Sequence, residues 1–170
     1  MSIPEADAHS IAAFQKFYKL LPRGSDISLL ILKLHLLVEE QIRTFLEERV
    51  ASTEALAAAR LECHQAICLA EALCTDNIQS QVWEAARKLN SLRNYIAHNL
   101  EHRGIIDRMN SISSLIGIAP ELFKIDGKTP EGAAVENLTF SVSVLHSEIS
   151  LYVKRKPAPV LSIVHPEPDA

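Results

Sequence analysis

Arg93, Asn94 and His98 lie within Leu92-Arg93-Asn94-Tyr95-Ile96-Ala97-His98, a segment that otherwise reads as a plain amphipathic helix. An imidazole takes up or releases a proton near neutrality, and a guanidinium holds an anion through two parallel hydrogen bonds. Nowhere else along the chain are groups of this kind so concentrated.

Helical projection at about 100° per residue places Val82, Ala85, Leu89, Leu92, Ile96 and Leu100 on one stripe, within roughly 40° of Ile96, which must face a core. Asn94 and His98 are i,i+4 neighbours on the opposite side, so His98 is expected to face solvent, a groove or a partner. Arg93 sits on the flank, roughly 140° around from His98. Within one straight helix the two side chains therefore do not converge on one atom, and a second protomer is the expected remedy.

The elements that position this segment are all helical. Ser10 is expected to cap a short helix through Leu21, stopped by Pro22 and Gly24. Ser25 or Asp26 caps a long helix to about Val50, whose first half is apolar nearly all round (Ile27, Leu29, Leu30, Ile31, Leu32, Leu34), as befits the centre of a bundle. A single alanine-rich helix is expected from Ser52 or Thr53 to Cys74. Asp76 with Gln79 resembles a capping box opening the motif helix, which should run to Glu101 or His102 before Gly104 breaks it. A shorter helix follows through Ile105, Met109, Ile112 and Leu115, ended by Gly117 and Pro120, and a turn holds Asp126-Gly127-Lys128-Thr129-Pro130. Phe140-Ser141-Val142-Ser143-Val144 alternates like a strand. Over a longer window Val135, Leu138, Val142, Leu145, Ile149 and Tyr152 repeat at helical spacing, and length decides for helix. Residues 154–170, with Lys154-Arg155-Lys156 followed by Pro157, Pro159, Pro166 and Pro168, read as an extended tail. The expected architecture is all-α, one domain over 1–153: an up-and-down helical bundle with a four-helix core plus additional short helices.

The chain has 170 residues, 48% of them hydrophobic, enough for one core. Its net charge of −4 does not suit a molecule that is basic overall. Basic character is local: Arg87, Lys88, Arg93, Arg103 and Arg108 outnumber Glu101 and Asp107, with His98 and His102 among them. The three cysteines, Cys63, Cys68 and Cys74, are clustered and odd in number, which fits a reducing cytoplasm better than a disulfide framework. No signal peptide and no membrane span are expected.

Arg93-Asn94-Tyr95-Ile96-Ala97-His98, late in an all-helical domain, resembles the R-x4-6-H signature of HEPN domains, in which a polar residue commonly follows the arginine. The resemblance covers the helix pattern of about Asp26 to Leu100. It implies a homodimer whose motif helices face each other across a two-fold axis, and metal-independent endoribonuclease activity of the toxin–antitoxin and defence kind. RNA cleavage by its own 2′-hydroxyl needs a proton-transfer group, for which His98 is the candidate. Arg93 would hold the negative charge of the phosphorane-like transition state. Asn94 would orient the imidazole or bind phosphate. Arg87, Lys88, His102 and Arg103 would attract the RNA backbone without regard to sequence. An antitoxin or nucleotidyltransferase partner is implied. However, some members carry a tyrosine two residues after the histidine, where this chain has Leu100, so modification at that position is not expected.

Plainer readings accompany these. The Arg93–Asn94–His98 face can be a solvated helix surface paired with Glu84 or Glu101, and the whole a catalytically inactive HEPN-like dimeric module that binds a partner protein or nucleotide, or a helical regulator with no site. Glu39, at i+4 from His35 and i−4 from Arg43, either braces the site by pairing with Arg93 or belongs to a mutually satisfied trio. His64 and Cys68 are also i,i+4, but without a second ligand pair no metal is expected, nor any other cofactor. Trp83 and Tyr95 flank the motif at polar angles of the wheel, where they would pack in a dimer or stack on a base.

Overall fold

A computed structural model describes residues 6–22, 26–75, 78–99, 101, 103–117 and 129–154. Its helices are α1 (Ala8–Leu20), α2 (Ile27–Glu47), α3 (Thr53–Ala58), α4 (Cys63–Leu73), α5 (Ser80–His98), α6 (Ile105–Leu115) and α7 (Pro130–Val153), and no strand occurs among the described residues. The result is an all-helical bundle in which α2 and α7 pack against each other, with α1 and α6 against α7, α4 against α2 and α5, and α5 against α2, α6 and α7.

Several helix ends differ from expectation. Asp7, not Ser10, caps α1: its carboxylate accepts from the Ser10 backbone N–H at 2.8 Å, while the Ser10 hydroxyl donates to the Asp7 carbonyl at 3.0 Å. Two cap-forming residues stand in series, and the earlier one adds a turn. The helix ends at Leu20, because Leu21 precedes Pro22 and is pushed to extended backbone, ψ 135°. Asp26 caps α2, accepting from Leu29 N at 3.0 Å. Although α2 is central, Leu29, Leu32 and Leu36 remain 42, 40 and 47% exposed. Spaced i, i+3, i+7, they form an uncovered stripe.

The alanine-rich stretch is two helices rather than one. Arg60 adopts a left-handed conformation, φ 48°, and the Glu62 N–H donates to Gln65 Oε1 at 2.9 Å, starting α4 afresh. The break falls where the chain has little to bury, since α3 contributes no buried residue. Arg43 fixes the junction by donating to the Leu61 carbonyl at 3.1 Å.

Asp76 lies outside the described residues, and α5 follows Gln79, which makes no side-chain cap bond. The helix stops at His98, short of Glu101: Asn99 turns to extended backbone and its Nδ2 donates to the Tyr95 carbonyl at 2.7 Å. Gly104, at φ 70°, then permits the reversal into α6, which Gly117 follows at φ 74°. The last described element, α7, is a helix throughout, opened by Thr129 Oγ1 accepting from Gly132 N at 3.1 Å with Pro130 in the first turn. Its strand-like alternation arises because α1, α2, α5 and α6 all touch it, so apolar residues are wanted on several sides. The core therefore does not close within Asp26–Leu100. It joins Phe17 of α1 and Met109 of α6 to Leu138, Val142, Leu145 and Ile149 of α7. Pro120, Asp126 to Lys128 and the tail from Arg155 onward lie outside the described residues. No helix among the described residues is long and apolar enough to cross a membrane.

Candidate functional site

The stripe of α5 is buried as its periodicity demands, through Val82, Ala85, Leu89 and Leu92, with Ile96 half-buried against the core. This orientation leaves Arg93 and Asn94 half-buried and His98 exposed. Arg93 Nη1 donates to Asn94 Oδ1 at 2.8 Å, so the asparagine's acceptor is engaged by the arginine.

Arg93 forms a wall between two cavities. One, of about 340 Å³, is lined by Ser28, Leu29, Ile31 and Leu32 of α2 and by Arg93, Ile96, Ala97 and His98 of α5. One chain thus already brings Arg93 and His98 to a common groove, for which ideal helical geometry had called on a second protomer. The other cavity, of about 370 Å³, contains Asn94 together with His35, Glu39, Glu62, Cys63, His64, Asn90 and Arg93. Asn94 and His98, neighbours on the wheel, open into different spaces.

The second cavity holds a polar cluster that α2, α4 and α5 assemble. His35, 3% exposed, donates from Nε2 to Asn90 Oδ1 at 3.0 Å, and Cys63 Sγ lies 3.4 Å from the same nitrogen. His35 Nδ1 stands 3.7 Å from Glu39 Oε2 and has no hydrogen-bond partner. Glu39 Oε1 accepts from Arg43 Nε at 2.9 Å and from Nη2 at 2.6 Å. The trio on α2 therefore does satisfy much of its own charge. Burial holds the His35 pKa below the usual imidazole range with help from the Arg93 charge, against the raising influence of Asn90 and Glu39. Burial and the Glu39 carboxylate push the Cys63 thiol up to about 11.

The basic window is partly neutralised. Arg87 pairs with Glu71, Arg103 donates to Glu101 from Nε at 3.0 Å and from Nη2 at 2.9 Å, and the Arg108 guanidinium lies 4.2 Å over the Tyr95 ring. Lys88 is half-buried, and His102 lies outside the described residues. Tyr95 is occupied within the chain, its hydroxyl donating to the Arg103 carbonyl at 2.7 Å. Trp83 is available neither for a base nor for a dimer: it is 2% exposed and meets the Phe45 ring edge-on at 5.9 Å. The wheel placed it on a polar angle because it assumed one buried face, whereas α5 is packed by four helices.

Cys68 Sγ and His64 Nε2 are 3.7 Å apart on the exposed side of α4. The cluster that sequence reasoning did not find is the one joining His35 to Cys63 and Asn90, since these come from three separate helices. Asn90 carried a faint signal, one turn before Asn94. Cys63 carried none. No protein-family model, curated protein or solved structure matches this chain.

Proposed function

We propose that this chain is a HEPN-type, metal-independent endoribonuclease of the toxin or defence kind, an up-and-down bundle that acts as a homodimer. The observation that carries the reading is the groove shared by Arg93 and His98, floored by the uncovered leucines of α2. RNA laid along it would place a 2′-hydroxyl at His98, which accepts its proton as the oxygen attacks phosphorus. The 5′-oxygen then leaves with a proton returned by an imidazolium, giving a 2′,3′-cyclic phosphate. Arg93 would steady the non-bridging oxygens as charge gathers on them, and Asn94 positions that guanidinium. Glu39 acts at one remove, through the cavity that Arg93 also walls.

The same surface supports a second copy. Leu29, Leu32 and Leu36 are an apolar stripe beside the motif, and a two-fold contact there would bury both copies together with their grooves. Arg87, Lys88, His102 and Arg103 would contribute attraction to phosphates that weakens with salt.

A second reading, a catalytically silent dimeric module that binds a partner protein or nucleotide, is favoured by the acid partners of Arg87 and Arg103. Cleavage of RNA in EDTA by the purified protein, beside His98→Ala and Arg93→Ala, separates the two. The nuclease yields cyclic-phosphate ends that both substitutions abolish. No cleavage by any of the three, with dimers intact, refutes the catalytic reading.

A further inference from the structure

We propose that His35, Glu39 and Cys63 form a binding site for a divalent cation of zinc's class, pinning α2 to the first residue of α4. Imidazole, carboxylate and thiol are the donor types such a borderline-soft ion accepts. One ligand atom from each residue lies within 4.8 Å of the other two.

The two donors on α2 are oriented for coordination. His35 Nε2 carries its proton toward Asn90 Oδ1 at 3.0 Å, which leaves Nδ1 with a free lone pair, buried and without a partner. A ring nitrogen that ligates a metal ordinarily has its opposite N–H held by a carbonyl in this way. Glu39 is oriented likewise: Arg43 holds Oε1, leaving Oε2 toward the ring at 3.7 Å from Nδ1. In a tetrahedron with metal–nitrogen and metal–oxygen distances of about 2.1 Å, that edge is roughly 3.4 Å, so a movement of a few tenths of an ångström closes it. Cys63 is half-buried at the cavity wall with Sγ 3.4 Å from Nε2, so coordination requires Sγ to swing from that edge of the ring to the Nδ1 side, within the 4.8 Å that spans the three donors.

Three protein donors leave a fourth position, which opens into the cavity of about 370 Å³ rimmed by Glu62 and His64. Water or the exposed His64 ring can fill it. On binding, the Cys63 thiol releases its proton to solvent, and the thiolate and the Glu39 carboxylate together balance the two charges of the ion. Arg93, across the cavity, then faces a neutral centre.

The test is a cobalt(II) titration of the reduced full-length protein, followed by the near-ultraviolet thiolate-to-cobalt charge-transfer absorption. The band should saturate at one equivalent, bleach when zinc is added, vanish in Cys63→Ser and persist in Cys68→Ser. Glu39→Gln should weaken binding by at least about 10-fold. Far-ultraviolet circular dichroism of each variant checks that it is folded. Absence of the band in the unaltered protein overturns the proposal, as does a band that survives in Cys63→Ser or is lost in Cys68→Ser, which would place the metal at the His64–Cys68 pair. No RNA enters this assay, so its outcome is independent of the ribonuclease reading.

Discussion

His146 makes this fold acid-sensitive. The ring is 1% exposed between α7 and α1, its centroid 5.0 Å from that of Phe17, and its Nδ1 has no partner. Burial above all, with smaller contributions from His9 and Lys16 and against the opposing Glu40, lowers its pKa from 6.5 to about 4. The native state thus holds the ring neutral where the unfolded chain has already bound a proton. Its stabilising share is complete above the unfolded value of 6.5 and is lost as pH falls from there toward about 4. Between about pH 7.5 and pH 5 the difference in proton uptake amounts to about 2 kcal/mol. Urea unfolding of the native protein and of His146→Phe at both pH values measures it. The variant keeps an aromatic ring beside Phe17 but has nothing to titrate, so its pH dependence should be shallower by that amount. His35, also lowered by burial, and Glu148, raised by burial, contribute in opposite directions to both proteins and cancel in the comparison. Parallel pH dependences, agreeing to within about 0.5 kcal/mol, would refute the reasoning.

Removing the Asn90 amide leaves the buried His35 ring with only the weak Cys63 Sγ contact at Nε2 and nothing at Nδ1, so Asn90→Ala should lower unfolding free energy by about 1–3 kcal/mol in urea titrations. Arg60→Gly relieves a left-handed backbone at an exposed helix end and should raise stability by about 0.5–1 kcal/mol, read as an upward shift in Tm. Leu36→Asp removes one leucine from each side of the proposed two-fold contact, about 3 kcal/mol in all, and should weaken self-association about 100-fold in sedimentation velocity while leaving the helical signal unchanged. An unaltered association constant would move the dimer contact elsewhere.

Long periodic patterns were legible in the sequence, and junctions and long-range meetings were not. Val82, Ala85, Leu89 and Leu92 lie on the buried face that their spacing implies, which in turn leaves His98 exposed. Trp83 escaped because the width of a buried arc depends on how many helices surround it, a property of the whole assembly. The division between α3 and α4 turns on one residue, Arg60, taking a conformation that alanine-rich periodicity does not disclose. Asp7 and Ser10 offered equivalent capping chemistry three residues apart, and local preference does not choose between them. Of the polar cluster, His35 and Glu39 were visible as a helical pair, whereas Cys63 meets His35 only because the helix breaks at Arg60 and α4 starts afresh beside α2, where Arg43 holds the Leu61 carbonyl.

The central position of α7 bears on how the polypeptide reaches its native state. Arg49, just past α2, donates to the carbonyls of Tyr152 at 2.9 Å and Val153 at 3.2 Å, a meeting of residues more than a hundred positions apart. During synthesis, Phe17 and the part of α2 that α7 covers must wait until α7 has left the ribosome. That interval is the stage at which nascent chains are open to chaperones and to aggregation, and it lengthens with every codon between α2 and α7.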